Sequence, residues 1–235
     1  MKLLPDWLKN GYLRVIDPIA DWMVRRRVNP NLLTTIGTLF AVTGGVIYAT
    51  GHIRIAGWLL GLTALFDVLD GNVARRTGQS SDFGAFYDST LDRVADGAVM
   101  GGLAVFYATT PHHGVLVGRS MVAVCVLGII GTFLVSYTRA RAEALGIDAK
   151  VGMMQRAERV VLLTAPQAFF GLALNGLILI SVILLLTVTA WITAVQRIVV
   201  VYRATAPRDI PRTTESPARR PKISRLLARP ALKGE

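Results

Sequence analysis

Residues 67–92 read D-V-L-D-G-N-V-A-R-R-T-G-Q-S-S-D-F-G-A-F-Y-D-S-T-L-D. Four of the aspartates, Asp67, Asp70, Asp88 and Asp92, fall at helical spacings within apolar surroundings. Residues three or four apart share a helix face. Two such pairs on facing helices would gather four carboxylates, which repel one another and take up protons unless a cation lies among them. Hard oxygen donors suit Mg²⁺, Mn²⁺ or Ca²⁺ rather than zinc. Gly71, Ala74 and Gly84 each lie four residues from one of these aspartates and leave space beside a carboxylate. Arg75 adds a guanidinium, which suits phosphate oxygens. Carboxylates, a cation, an arginine and glycines together point to phosphate chemistry.

Upstream, only twelve uncharged residues separate Arg54 from Asp67. Twelve helical residues reach about 18 Å, against a hydrocarbon core of about 30 Å. The helix must therefore run on through the quoted stretch to cross, which puts Asp67 and Asp70 at or near the bilayer boundary, facing inward. Intramembrane carboxylates are costly and are kept for function. Before this helix, Asn29-Pro30-Asn31 opens an uncharged span from about Leu32 to Thr50, with Asn29 as cap and Pro30 in the first turn.

Further spans are expected at about 84–108, 116–137, 160–174 and 177–201, with a tight turn at Asn175-Gly176. Residues 3–24 alternate Trp7, Leu8, Tyr12, Val15, Ile19 and Trp22 with charges, the pattern of an amphipathic interfacial helix. The expected fold is all-α: six transmembrane helices in a membrane domain over residues 1–203, preceded by that helix. Residues 204–235 hold five prolines and eight basic residues and read as a basic, disordered cytoplasmic tail.

Composition agrees: 52% of residues are hydrophobic, 17% are charged and the mean hydropathy is +0.48. The net charge of +11 comes from basic residues beside apolar spans, so it reads as membrane topology and not as nucleic-acid binding. With both termini cytoplasmic, 24 of the 26 Lys and Arg residues fall on or toward the cytoplasmic side of a cell (inner or plasma) membrane. Cys125 is the only cysteine, so no internal disulfide is expected. His112 and His113, without a nearby carboxylate or cysteine, read as a polar loop. Met1–Ile16 lacks an apolar core followed by a small-residue site, so no cleaved leader is expected.

The residues alone already define a reaction type. A cation held by carboxylates at the membrane surface neutralises a phosphoanhydride and supports its departing phosphate. A further aspartate takes the proton of an attacking hydroxyl. Because the cluster opens at acyl-chain depth, the substrate must be a lipid or reach the site along one. Intramembrane aspartates also serve as cation sites in transporters, but here all four lie at one end, with no acidic path across.

Asp67-x2-Asp70-Gly71-x2-Ala74-Arg75-x8-Gly84-x3-Asp88-x3-Asp92 fixes eight positions over 26 residues and resembles the signature of the CDP-alcohol phosphotransferase family. The hydrophobic layout resembles that family over about residues 10–203. The resemblance implies transfer of a phosphatidyl group from CDP-diacylglycerol to a polar, phosphorylated alcohol with release of CMP, dependent on Mg²⁺ or Mn²⁺, by a homodimer. It implies that Asp67, Asp70 and Asp88 bind metal, and that Asp92 is the general base and shares in a second metal. Asp70, Gly71, Ala74, Arg75, Ser81 and Gly84 would surround the cytidine diphosphate, joined by Asn31, Leu32, Leu33 and Thr34. Ser136-Tyr137-x-Arg139-Ala140-Arg141-Ala142-Glu143, followed by Arg156-x-Glu158-Arg159, resembles the corresponding region of bacterial phosphatidylinositol-phosphate synthases. That likeness implies inositol 1-phosphate as acceptor, its phosphate held by Ser136, Arg139, Arg156, Arg159 and Arg197. Arg139 stands where a lysine is common, which keeps the charge and changes the donor geometry. The nearest alternative is a phosphatidylglycerophosphate synthase, whose acceptor is also a sugar-alcohol phosphate.

Overall fold

The computed structural model of the chain describes residues 17–79, 81–110, 114–152 and 156–206, without the side chains of residues 156 and 157. Residues 3–16 of the expected amphipathic segment, the histidine loop at 111–113 and residues 207–235 of the expected tail lie outside the described residues. Among those described there is no strand. The helices are α1 (residues 17–25), α2 (Pro30–Ala49), α3 (Ile53–Thr77), α4 (Asp82–Thr109), α5 (Gly114–Ala144), α6 (Arg156–Phe170) and α7 (Leu177–Thr205).

Local chemistry sets the boundaries near the signature. The Asn29 side chain accepts from the Asn31 N–H at 2.9 Å and Pro30 opens α2, as the sequence predicts. The α3 helix runs unbroken through Asp67, Asp70 and Arg75 and stops at Gly78, whose φ of 66° is the left-handed C-cap conformation. Ser81 then caps α4, its hydroxyl accepting from the Gly84 N–H at 3.0 Å. Asn175 (φ 54°) and Gly176 (φ 72°) form the tight turn expected before α7.

The helix α2 packs against both α3 and α4; α3 also packs on α6, and α4 on α5. Small residues allow these approaches. A Cβ on Gly102 of α4 would stand 1.9 Å from the Gly45 carbonyl oxygen of α2. The α5–α7 contact is closed by Gly131 against Trp191, whose indole N–H donates to the Leu127 carbonyl at 3.0 Å. The larger apolar core, with Tyr48, Leu60, Leu103, Phe106 and Ile183, fills the end of the bundle away from the signature. A smaller cluster of Ala20, Leu33, Leu69 and Val73 lies beneath the signature and docks α1 onto α2 and α3.

Among the described residues, three helices are long and apolar enough to cross a membrane: Pro30–Ala49, Gly114–Ala144 and Leu174–Thr205. Leu39, Val46, Trp58, Leu116, Phe169 and Val188 all point outward. Exposed apolar side chains on this scale are what lipid, not water, covers. The α6 helix has 15 residues, includes Pro166 and reaches only about 22 Å.

Candidate active site

The signature occupies the last turns of α3 and the first turns of α4, and the start of α2 lies against both. Asp70 is 8% exposed, and its Oδ2 accepts from the Thr34 hydroxyl at 2.8 Å. Asp67 sits beside Gly37 of α2, where a Cβ would come within 3.9 Å of its Oδ1. Asp88 is exposed at the mouth and Asp92, one turn deeper, is half-buried. The charges of Asp88 and Asp67 act on Asp70, so carboxylates from both helices share one neighbourhood. They are not closed on a single point: among the described residues no group of three or more His, Cys, Asp or Glu side chains is gathered tightly enough to hold a metal ion. The donor set still fits a hard divalent cation, since carboxylate oxygens from two facing helices reach one electronegative neighbourhood.

The expected nucleotide contacts divide into two groups. A Cβ on Gly84 would lie 3.2 Å from Ser81 Oγ and 3.5 Å from Asn31 Oδ1, so these three residues meet at the α2–α4 junction. Arg75 folds back over Gly71, with Nη2 donating to Asn72 Oδ1 at 3.1 Å, and Ala74 is half-buried one turn on. Leu33, in contrast, is 3% exposed inside the smaller core, and Leu32 points outward. Of the 31–34 stretch, Asn31 and Thr34 carry the polar chemistry. Their placement follows from the helix period, which turns Leu33 inward when Thr34 faces Asp70.

At the other side of the site, Arg197 of α7 is 9% exposed. Its guanidinium donates through Nε to the Val151 carbonyl at 3.0 Å and through Nη1 to the Val135 carbonyl. The charges of Arg139 and Arg159 act on it, so the three arginines share one end. Arg139 is exposed and paired with Glu143 at 2.9 Å, and Ser136 is half-buried on α5. The Arg156 side chain lies outside the described residues.

Sequence reasoning missed three residues. Tyr87 pins α4 to α2 by a 2.9 Å hydrogen bond with Thr35. Arg93 places Nη2 3.7 Å from Asp92 and 3.3 Å from Asp96. Asp96 continues the four-residue series of Asp88 and Asp92 by one more turn. That continuation was the available signal, and it falls past the end of the signature.

Comparison with known proteins adds the following. A family model described as CDP-alcohol phosphatidyltransferase matches residues 27–202. The phosphatidylinositol phosphate synthase of Streptomyces avermitilis is 36% identical over 221 residues, covering 91% of this chain and 88% of that protein. The crystal structure of Mycobacterium tuberculosis phosphatidylinositol phosphate synthase with CDP-DAG bound superposes with a TM-score of 0.71 at 31% identity, covering 80% of this chain and 94% of that one. The same enzyme in complex with manganese and citrate gives a TM-score of 0.71, covering 80% of this chain and 88% of that one.

Proposed function

The chain belongs to the CDP-alcohol phosphatidyltransferase family, and from that premise we propose how its own residues share the work. The protein is a metal-dependent membrane transferase that moves the phosphatidyl group of CDP-diacylglycerol to inositol 1-phosphate and releases CMP. The reading is carried by one observation: the two aspartate helices α3 and α4 meet at the start of α2, where Thr34 holds Asp70 and Asn31 lies beside Ser81 and Gly84, and Arg159 of α6 lines a cavity with Asp96 of α4.

A free hydroxyl of the acceptor attacks the phosphorus that carries the diacylglycerol. A new P–O bond forms, the anhydride P–O bond breaks, and CMP leaves with the bridging oxygen. Asp92 takes the hydroxyl proton. Asp67, Asp70 and Asp88, with a share from Asp92, would hold Mg²⁺ or Mn²⁺, which would neutralise charge on the anhydride and the leaving phosphate. Thr34 fixes the Asp70 carboxylate. Asn31, Ser81 and Gly84 frame the nucleotide, with Gly71, Ala74 and Arg75 on the α3 side. Ser136, Arg139, Arg156, Arg159 and Arg197 take the acceptor phosphate. Two of the five Arg197 donors are committed to carbonyls, which locks its plane and leaves others for a phosphate oxygen.

All six helices from α2 to α7 belong to the membrane domain, with α3 and α4 crossing through the signature and α6 completed by the turn before α7. The amphipathic N-terminal segment lies at the cytoplasmic interface of the cell membrane, both termini are cytoplasmic, and the protein works as a homodimer. Full-length protein in lipid vesicles, given CDP-diacylglycerol, Mg²⁺ and one acceptor at a time, tests the acceptor. CMP release is expected with inositol 1-phosphate and not with glycerol 3-phosphate, free inositol or serine. Release with glycerol 3-phosphate alone would make it a phosphatidylglycerophosphate synthase.

A further inference from the structure

One turn below Asp92, deeper in the bundle, Asp96 sits in a small group of half-buried charges. Its Oδ2 lies 3.3 Å from Arg93 Nη2, and both that oxygen and Arg93 Nε are sealed from solvent without a hydrogen bond. Asp96 and Arg159 line one cavity between α4 and α6, together with Thr63, Thr132 and Thr164. The charges of Arg159, Arg93 and Asp67 all lie near enough to act on Asp96. A half-buried ion pair of this kind contributes little to stability, since apolar residues of similar volume often do as well. That leaves room for a role other than stability.

The arrangement supplies one. Arg159 lies in the first turns of the short helix α6, and a long side chain there has many rotamers. A guanidinium that grips a phosphate with two parallel hydrogen bonds needs a fixed plane. The charges of Arg139 and Arg159 both oppose that of Arg197, and Asp96 on α4 presents a carboxylate to the same cavity as Arg159. We propose that Asp96 is a positioning residue, braced by Arg93, whose carboxylate holds the Arg159 guanidinium ready for the acceptor phosphate. This rests on the reading of Arg159 as a ligand of that phosphate.

The test uses full-length protein in lipid nanodiscs with Mg²⁺, CDP-diacylglycerol and inositol 1-phosphate, comparing Asp96→Asn, Arg159→Gln and the double variant. Asp96→Asn is expected to raise the KM for inositol 1-phosphate about tenfold and to leave the KM for CDP-diacylglycerol within about twofold. In the Arg159→Gln background the same change is expected to move the acceptor KM by less than about twofold, since the residue it acts through is gone. Effects that multiply would overturn the proposal. So would an Asp96→Asn variant with lower thermal stability and an unchanged acceptor KM, the result for a purely structural pair. If Arg159→Gln alone leaves the acceptor KM unchanged, the phosphate role of Arg159 falls and the proposal with it, a pattern distinct from multiplied effects. Should Asp96→Asn not fold, Asp96→Glu is read instead. A raised acceptor KM that vanishes in the Arg159→Gln background supports the proposal, and an equal rise in both backgrounds overturns it.

Discussion

Thr34 and Asp92 show how differently two polar residues of one site are used. The Thr34 hydroxyl satisfies the most enclosed of the signature carboxylates. Thr34→Val keeps the shape and removes the donor, leaving a buried carboxylate oxygen short of a partner at about 1–3 kcal/mol. A lower thermal unfolding midpoint and a higher Mg²⁺ concentration for half-maximal CMP release are the expected results. Asp92 is proposed as the base, besides its share in the metal. Asp92→Asn keeps the volume and removes the base, so kcat is expected to fall by about 10²–10⁴ while CDP-diacylglycerol still binds. Single-turnover CMP release together with binding of labelled donor measures both. The residues of the signature were legible because their spacing is local. Leu33 shows the limit: the 31–34 stretch could be read as one contact segment, but a helix turns adjacent side chains about 100° apart, and Leu33 is in the core.

At the scale of elements, hydrophobic length carried the argument. Twelve uncharged residues before Asp67 could not span a bilayer alone, and α3 accordingly runs from Ile53 to Thr77 through the signature. Caps were equally legible, since Asn29-Pro30 opens α2 as read. The short α6 was less so, because its apolar run continues past Phe170 while the helix stops there and the chain passes into the turn before α7. Helix pairing left only faint marks in the sequence. A glycine is required at residue 102 because of a carbonyl on another helix, 57 residues away in sequence. Gly102→Ala drives a methyl group into the Gly45 backbone, which has no side-chain rotamer to yield. A loss of at least about 1–3 kcal/mol is expected, read as a fall in the unfolding midpoint in detergent.

For the whole molecule, the charge asymmetry predicts an orientation and the carboxylates predict how metal dependence arises. In a Cys125→Ser background, a cysteine at Arg26 is expected to react with an impermeant maleimide only from the cytoplasmic side, and one at His52 only from the opposite side. Labelling of both from one face would refute the topology. Chelation with EDTA is expected to abolish CMP release, and added Mg²⁺ or Mn²⁺ to restore it. Activity that survives exhaustive chelation would separate these carboxylates from any metal role.

The sequence by itself determined the helices, their membrane character, the signature and the family, because apolar period, charge placement and residue spacing are properties of one chain read in order. Tertiary structure alone decided which carboxylate is enclosed, that Arg197 spends donors on the carbonyls of Val135 and Val151, and that Asp96 and Arg159 line one cavity. Those facts depend on contacts between residues tens of positions apart, set by how closely small residues let helices approach, and no local pattern encodes that distance.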